Sequence, residues 1–158
     1  MAVIVIVGLM AGAAVVFVKP SAQARTARGY ASSITALCDA ARQRAVASNT
    51  YQRIQVTSTG VVHYQGDDDG MTIPTFTDEV AHLPVPDQVE IVSFDDVTHV
   101  TDDTDVPEEG AGLPGTIDFA PDGTASAATV FVTDSSDDYR ARVAVYRASG
   151  SVYTYQDW

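Results

Sequence analysis

The first eighteen residues, Met1 to Val18 (MAVIVIVGLMAGAAVVFV), carry no charge and no side chain more polar than methionine's, and Lys19-Pro20 ends the run. As a helix this segment spans about 27 Å at about 1.5 Å per residue, close to the ~30 Å hydrocarbon core of a bilayer. Water alone cannot accommodate that surface, so a membrane or the core of a filament is its natural place. Three readings compete. Ala22-Gln23-Ala24 has the small-x-small look of a secretory cleavage site. No basic residue precedes the run, however, and it is long for a signal sequence. A plain single-pass anchor is the second reading. The third is a stem in which the apolar segment runs on without a break into an amphipathic helix, and the residues beyond Pro20 favour it.

From Ser21 to Ser48 there is no proline and the only glycine is Gly29. Apolar side chains recur at Tyr30, Ile34, Leu37, Cys38, Ala41, Ala45 and Val46, the 3.6-residue period of one helix face. Arg28, Asp39, Arg42 and Gln43 take the other side. A helix over Met1 to Ser48 would be about 72 Å long, far beyond the globular mean, and so long a rod in so small a chain suits a fibre. Asn49-Thr50 marks its end.

Beyond residue 50 the period changes to two. Tyr51 to Thr57 alternates, with Ile54 and Val56 on one face and Arg53 and Gln55 on the other. Val61 to Gln65 completes a hairpin after a Ser-Thr-Gly turn. Residues 66–87 are loop-rich, with a short strand expected near Met71 to Phe76, and Gln88 to Phe94 is a strand. The acidic, Gly- and Pro-rich stretch 95–115 suggests an exposed loop. Thr116 to Ala120, Ala125 to Thr133, Tyr139 to Arg147 and Ser151 to Gln156 suggest an antiparallel meander, its first hairpin turning at Pro121-Asp122-Gly123. The expected fold is α+β: a long N-terminal helix packed on a C-terminal antiparallel sheet or sandwich. Residues 1–18 form the membrane or filament-core half of the stem, 19–49 its amphipathic half, and 50–158 a globular β domain.

Charge divides along the same line. The net charge is -12, yet residues 1–50 carry five basic side chains against Asp39, while residues 51–158 carry four arginines against twenty acids. The two parts therefore meet different surroundings, and the acidic part would repel phosphate backbones. Cys38, the only cysteine, excludes an internal disulfide. It lies on the apolar helix face, where packing is expected rather than reactivity.

The order of apolar start, amphipathic helix and antiparallel sheet resembles type IV pilin-like proteins, and most of all the GspH/FimT group of minor pseudopilins. The resemblance rests on the helix end Ala41 to Asn49, the strand Tyr51 to Val56, the hairpin Ile117-Asp118-Phe119-Ala120-Pro121-Asp122-Gly123 and the closing Val143 to Val152 around Gly150. It implies a structural subunit rather than an enzyme, stored in the inner membrane through a single span, with its C-terminal domain in the periplasm or on an extracellular filament. Its implied partners are other pilin or pseudopilin subunits, met through the N-terminal helix, and a secretion-machine platform or cargo. Val3, Ile4, Val7, Leu9, Val15, Phe17, Tyr30, Ile34 and Leu37 are the candidate packing and assembly residues. Pilin-like precursors carry a leader and a Gly-Phe-Thr-Leu-Ile-Glu type motif before the apolar run. Met1 to Gly8 resembles the stretch after that motif, so leader processing maps onto no residue of this sequence. The alternatives are a FimT-like minor pilin for DNA uptake and an anchored ligand-binding β domain.

No cofactor is expected. Asp67, Asp68 and Asp69, and the acidic run containing Asp102, Asp103 and Asp105, could supply oxygens to calcium, but consecutive acids seldom aim at one ion and solvated loops are the expectation. His63, His82 and His99 show no ligand spacing. Neither a nucleophile elbow nor a phosphate loop is present. Arg140 and Arg142 share a face of one strand, and Tyr153 and Tyr155 a face of the next, which suggests an Arg–Tyr ladder.

Overall fold

A computed structural model describes the backbone of residues 2–67, 74–101 and 105–158, and side chains from residue 22 onward within those ranges. One helix, α1 (Ala2–Ser48), precedes eight strands: β1 (Gln52–Thr57), β2 (Gly60–Gly66), β3 (Phe76–Pro84), β4 (Val89–Asp95), β5 (Gly115–Phe119), β6 (Ala128–Asp134), β7 (Arg140–Val145) and β8 (Val152–Gln156). They form two four-stranded sheets, ordered β3-β2-β1-β5 and β4-β6-β7-β8, with every neighbouring pair antiparallel. The expected α+β architecture is present.

The helix buries Ala27, Tyr30, Ala31, Ile34, Cys38, Ala41 and Ala45, a stripe spaced by three and four. Four alanines in that stripe let the backbone approach the sheets closely, and Ile34 supplies most of the volume between them. Against it lie Ile54, Val56, Val61, Ile117 and Phe119 from the first sheet, and Val130, Val132, Val143 and Val145 from the second. Tyr30 also donates its hydroxyl to the Leu83 carbonyl at 3.3 Å, linking helix and β3. Asn49, with φ 55, takes the left-handed conformation that commonly ends a helix.

A hydrogen-bonded chain then fixes the helix end to the sheet. Ser48 Oγ donates to the Arg44 carbonyl at 2.7 Å and meets Thr50 Oγ1 at 2.6 Å. Gln52 Nε2 donates to that Thr50 oxygen at 3.0 Å, while Gln52 Oε1 faces His63 Nε2 at 2.8 Å. His63 is only 2% exposed. Burial, with the Arg44 charge adding to it, lowers its pKa to about 4.

Two expectations need correction. The segment after residue 75 is not loop: β3 runs nine residues, Phe76–Pro84. Its carboxylates Asp78 and Glu79 disguise it, because an edge strand tolerates charge that a central one does not. The expected short strand near Met71 to Phe76 overlaps it only at Phe76, and 71–73 lie outside the described residues. Second, β5 and β6 are not a hairpin. Beyond one bridge, Phe119 to Ala125, they part at the Pro121-Asp122-Gly123 turn. There β5 joins β1 in the first sheet, and β6 lies between β4 and β7 in the second. Turn chemistry specifies a reversal but not which sheet receives the next strand.

The His63 environment carries a pH signature. Its folded pKa lies below the unfolded value of about 6.5, so between those values the unfolded chain binds the extra proton and stability falls as pH drops. Chemical denaturation from pH 7 to pH 4 should show this as a loss of about 1–3 kcal/mol from that group. The His63→Gln variant should show a correspondingly shallower pH slope; equal slopes would contradict it.

Candidate functional site

The segments that carry the family resemblance meet at one corner. Arg42, on the last turns of α1, donates Nε to the Gly123 carbonyl at 3.3 Å. Gly123 (φ 84) and Gly150 (φ 59) are the left-handed residues of their two turns, which only glycine adopts readily. A Cβ on Gly150 would collide with the Gly123 carbonyl oxygen and lie 3.0 Å from Arg42 Cδ. The Pro-Asp-Gly turn and the final hairpin thus meet backbone to backbone at Gly150, and the Arg42 side chain joins the helix end to both. Beside them Arg42, Gln43, Val46 and Ala47 line a shallow groove of about 320 Å³. The apolar series includes Val46, but it is 52% exposed. It lies about 100° around the helix from buried Ala45, at the margin of the stripe.

The opposite face of α1 is open. Arg25, Gly29, Ser32, Ser33, Ala36, Ala40, Gln43 and Ala47 are exposed and mostly small. Arg28 leans across the Tyr139 ring, 5.4 Å from its centroid, and so bridges helix and sheet rather than standing free. One rod therefore has two working surfaces: an apolar one consumed by its own domain and a small-residue one left to solvent. Of the candidate packing residues, Tyr30 and Ile34 lie in the domain core and Leu37 packs at its edge. Val3, Ile4, Val7, Leu9, Val15 and Phe17 lie outside the residues whose side chains are described. Among the described residues no helix is long and apolar enough to cross a membrane. Cys38 is fully buried, and burial followed by the nearby Asp39 charge pushes its thiol up to about 12, so it packs and does not react.

The outer face of the second sheet holds the arginine–tyrosine pairing in modified form. Arg142 stacks 5.4 Å from the Tyr155 ring across paired positions, as the ladder requires. Arg140 instead engages Asp137 and lies 5.7 Å from the Trp158 ring. Tyr153 packs edge-on against Tyr146, with centroids 5.6 Å apart. Strand alternation gives the face and so half of the ladder, whereas the return of the C-terminus onto that face is a tertiary event. Arg142 is wholly buried and donates to the Asp157 carbonyl at 2.6 Å.

The 95–115 segment is a mostly exposed loop, as its composition suggests, yet it is tied to the second sheet along its length. His99 N–H donates to Thr129 Oγ1 at 2.9 Å, which in turn donates to the Val97 carbonyl at 2.7 Å, strapping the start of the segment across β6. His99 Nε2 lies 2.8 Å from Asp95, a hydrogen bond that holds that carboxyl below its usual range. Further on, Gly110 N–H donates to the Val92 carbonyl at 2.7 Å and Phe94 N–H to the Ala111 carbonyl at 3.0 Å, which closes the edge of β4.

Of the candidate calcium ligands, Asp67 accepts from Thr75 and Thr77 at 3.3 Å each, a hairpin closure. Asp105 is exposed, and Asp68, Asp69, Asp102 and Asp103 lie outside the described residues. Among the described residues no three His, Cys, Asp or Glu groups are placed to hold a metal.

A glycine pair tests the corner. Gly150→Ala should cost about 1–3 kcal/mol, since it combines positive-φ strain with a clash against backbone. Gly29→Ala, on the open helix face with nothing within 4 Å of its new methyl, should stabilise the fold by about 0.5–1 kcal/mol. Thermal or denaturant unfolding of the two variants reads both signs.

The geometry has counterparts among known proteins. The profile of the family described as "Type II transport protein GspH" matches residues 30–150. Two solved structures of the minor pseudopilin EpsH from the type 2 secretion system of Vibrio cholerae superpose with TM-scores of 0.57 and 0.60, each at 12% sequence identity. They cover 82% and 85% of this chain and 96% of their own. At that identity the likeness is one of fold. No curated protein sequence matches the chain significantly.

Proposed function

Because this chain belongs to the GspH family of type II transport proteins, we propose that it is a structural minor-pseudopilin subunit of an envelope-spanning filament that supports protein secretion. The observation that carries this reading is the division of labour on α1. Its described buried positions fall between Ala27 and Ala45, yet the helix extends over Ala2–Ser48. Among the described residues the domain takes one stripe of the rod and leaves the opposite one open. Ahead of them runs Met1 to Val18, whose sequence suits lipid in storage and other helices after assembly. In lipid, helices associate through close packing rather than hydrophobic expulsion, so exchange between the two surroundings need not be costly.

On this reading the inner membrane holds the stem and the domain lies on its periplasmic side. The open stripe of α1, rich in Gly, Ser and Ala, faces neighbouring stems. Whether the filament pushes cargo or primes a pilus would depend on its partners.

Chemistry at a site plays no part in this proposal. The nucleic-acid alternative loses its best cations: Arg142 is buried and Arg140 is engaged by Asp137. Rings from the neighbouring strand and the C-terminal residues, Tyr155 and Trp158, lie over these two guanidinium groups.

A single charge in the apolar run tests the reading. Val7→Lys places an ammonium group where burial in lipid costs about 2.5–3.5 kcal/mol on insertion scales. The full chain expressed in a secretion-competent host should shift from the membrane pellet and be lost from the sheared filament fraction, with the domain still folded. Retention of Val7→Lys in filaments at the wild-type level would rule the proposal out.

A further inference from the structure

Two four-stranded sheets have four edges, and among the described residues three of them are covered or blunted. At β4 the backbone of 110–111 takes two outward groups, the Val92 carbonyl and the Phe94 N–H. At β5 the outward Asp118 N–H and carbonyl bond to Ser126 Oγ and N–H, each at 2.9 Å. β3 carries Asp78 and Glu79, ends at Pro84, and meets β2 through two register irregularities. Bulges, charges and proline are the usual means of blunting a strand edge.

The fourth edge, β8, has none of these. Its residues Val152-Tyr153-Thr154-Tyr155-Gln156 carry no charge and no proline, and they pair with β7 in unbroken register. Asp157 N–H donates to the Arg140 carbonyl and Tyr146 N–H to the Ser151 carbonyl, both at 2.9 Å. Antiparallel alternation then turns the backbone groups of Tyr153 and Tyr155 toward β7, and those of Val152, Thr154 and Gln156 to the open side. Tyr153 is 54% exposed, and of the outward-facing residues Thr154 and Gln156 are exposed while Val152 is buried. The edge runs along the stem: Thr154 Oγ1 lies 2.7 Å from Thr35 Oγ1 of α1.

We infer that β8 receives an extended strand from a neighbouring, non-identical subunit of the filament, which adds a fifth strand to the second sheet. The inference rests on the subunit reading above. Three observations select this occupant. The edge lies next to the helix that the filament would bury, so a strand added there continues the stem–stem contact. Residues 51–158 carry twenty acids against four arginines, so a similarly acidic neighbour is repelled elsewhere, but not along this uncharged strip. A second copy pairing β8 with β8 is excluded by symmetry. The twofold axis of an antiparallel pair stands perpendicular to the sheet and would reverse the direction of α1, which lies on the sheet face, so the two stems could not share a membrane. The incoming strand would offer alternating apolar side chains to Tyr153 and Tyr155 on one face, and main-chain groups to Val152, Thr154 and Gln156.

Amide exchange on the full chain, solubilised in detergent and then assembled in filaments, tests this directly. The Thr154 and Gln156 amides should exchange fast in detergent and slow by at least about tenfold in filaments, while Tyr153 and Tyr155 stay slow in both. Thr154→Pro deletes one outward N–H without touching the β7 ladder. Both Thr154→Pro and Thr154→Val lose the hydrogen bond to Thr35, so the two should melt alike, while Thr154→Pro falls by about tenfold in filament incorporation and Thr154→Val, which keeps the N–H, is incorporated normally. Fast exchange of the Thr154 and Gln156 amides in filaments, or full incorporation of Thr154→Pro, overturns the inference alone. Failure of the wild-type chain to enter filaments overturns the subunit reading beneath it as well.

Discussion

Everything in this molecule is arranged around one stripe of α1 seated on two sheets at once. Ala27, Ala31, Ala41 and Ala45 bring the helix backbone close, and Ile34 and Cys38 fill the middle. Tyr30 reaches out to the Leu83 carbonyl. Because alanine adds little volume, the contact depends on close approach rather than on large interlocking side chains. That demands fixed ends, and the structure provides one at the C-terminal end. There Asn49 turns the chain, Ser48, Thr50, Gln52 and His63 form a hydrogen-bonded chain, and Arg42 is clamped against Gly123 and Gly150. The helix is held at a set angle to its domain, as the proposed filament subunit would need.

The same seat explains why the other helix face is small and polar. A helix apolar all round would be buried by its own domain or would aggregate; one with a single spent stripe can offer Gly29, Ser32, Ala36 and Ala40 to another helix. The acidic domain adds a further restriction. Its charge discourages contact over most of its surface and so leaves the stem, and the uncharged edge beside it, as the favoured approaches.

Much of this could be read in the sequence because the controlling signals are local. The apolar run, the three- and four-residue spacing from Tyr30 to Ala45, and the alternation in Gln52 to Thr57 and Arg140 to Val145 each depend on near neighbours. What escaped depends on distant ones. The carboxylates of Asp78 and Glu79 hid β3, since only its place at an edge makes them tolerable. The turn at Pro121-Asp122-Gly123 was legible, but not the passage of the chain from one sheet to the other. The 95–115 segment reads as an exposed loop and is one, but its ties to Thr129 and β4 escape a sequence reading because they join positions far apart in the chain. Val46 belongs to the apolar series yet stands open, since one residue turns the helix about 100° away from Ala45.

The central claim is that α1 has one face committed to its own domain and one reserved for other subunits. Single cysteines along α1, probed with a water-soluble maleimide in the Cys38→Ser background, separate the two faces. At Ala31 and Ala41 the label should be excluded both before and after filament assembly. At Ser32, Ala36, Ala40 and Gln43 it should react freely in the unassembled subunit and lose access in the filament. Undiminished labelling of those four positions in assembled filaments would contradict the account.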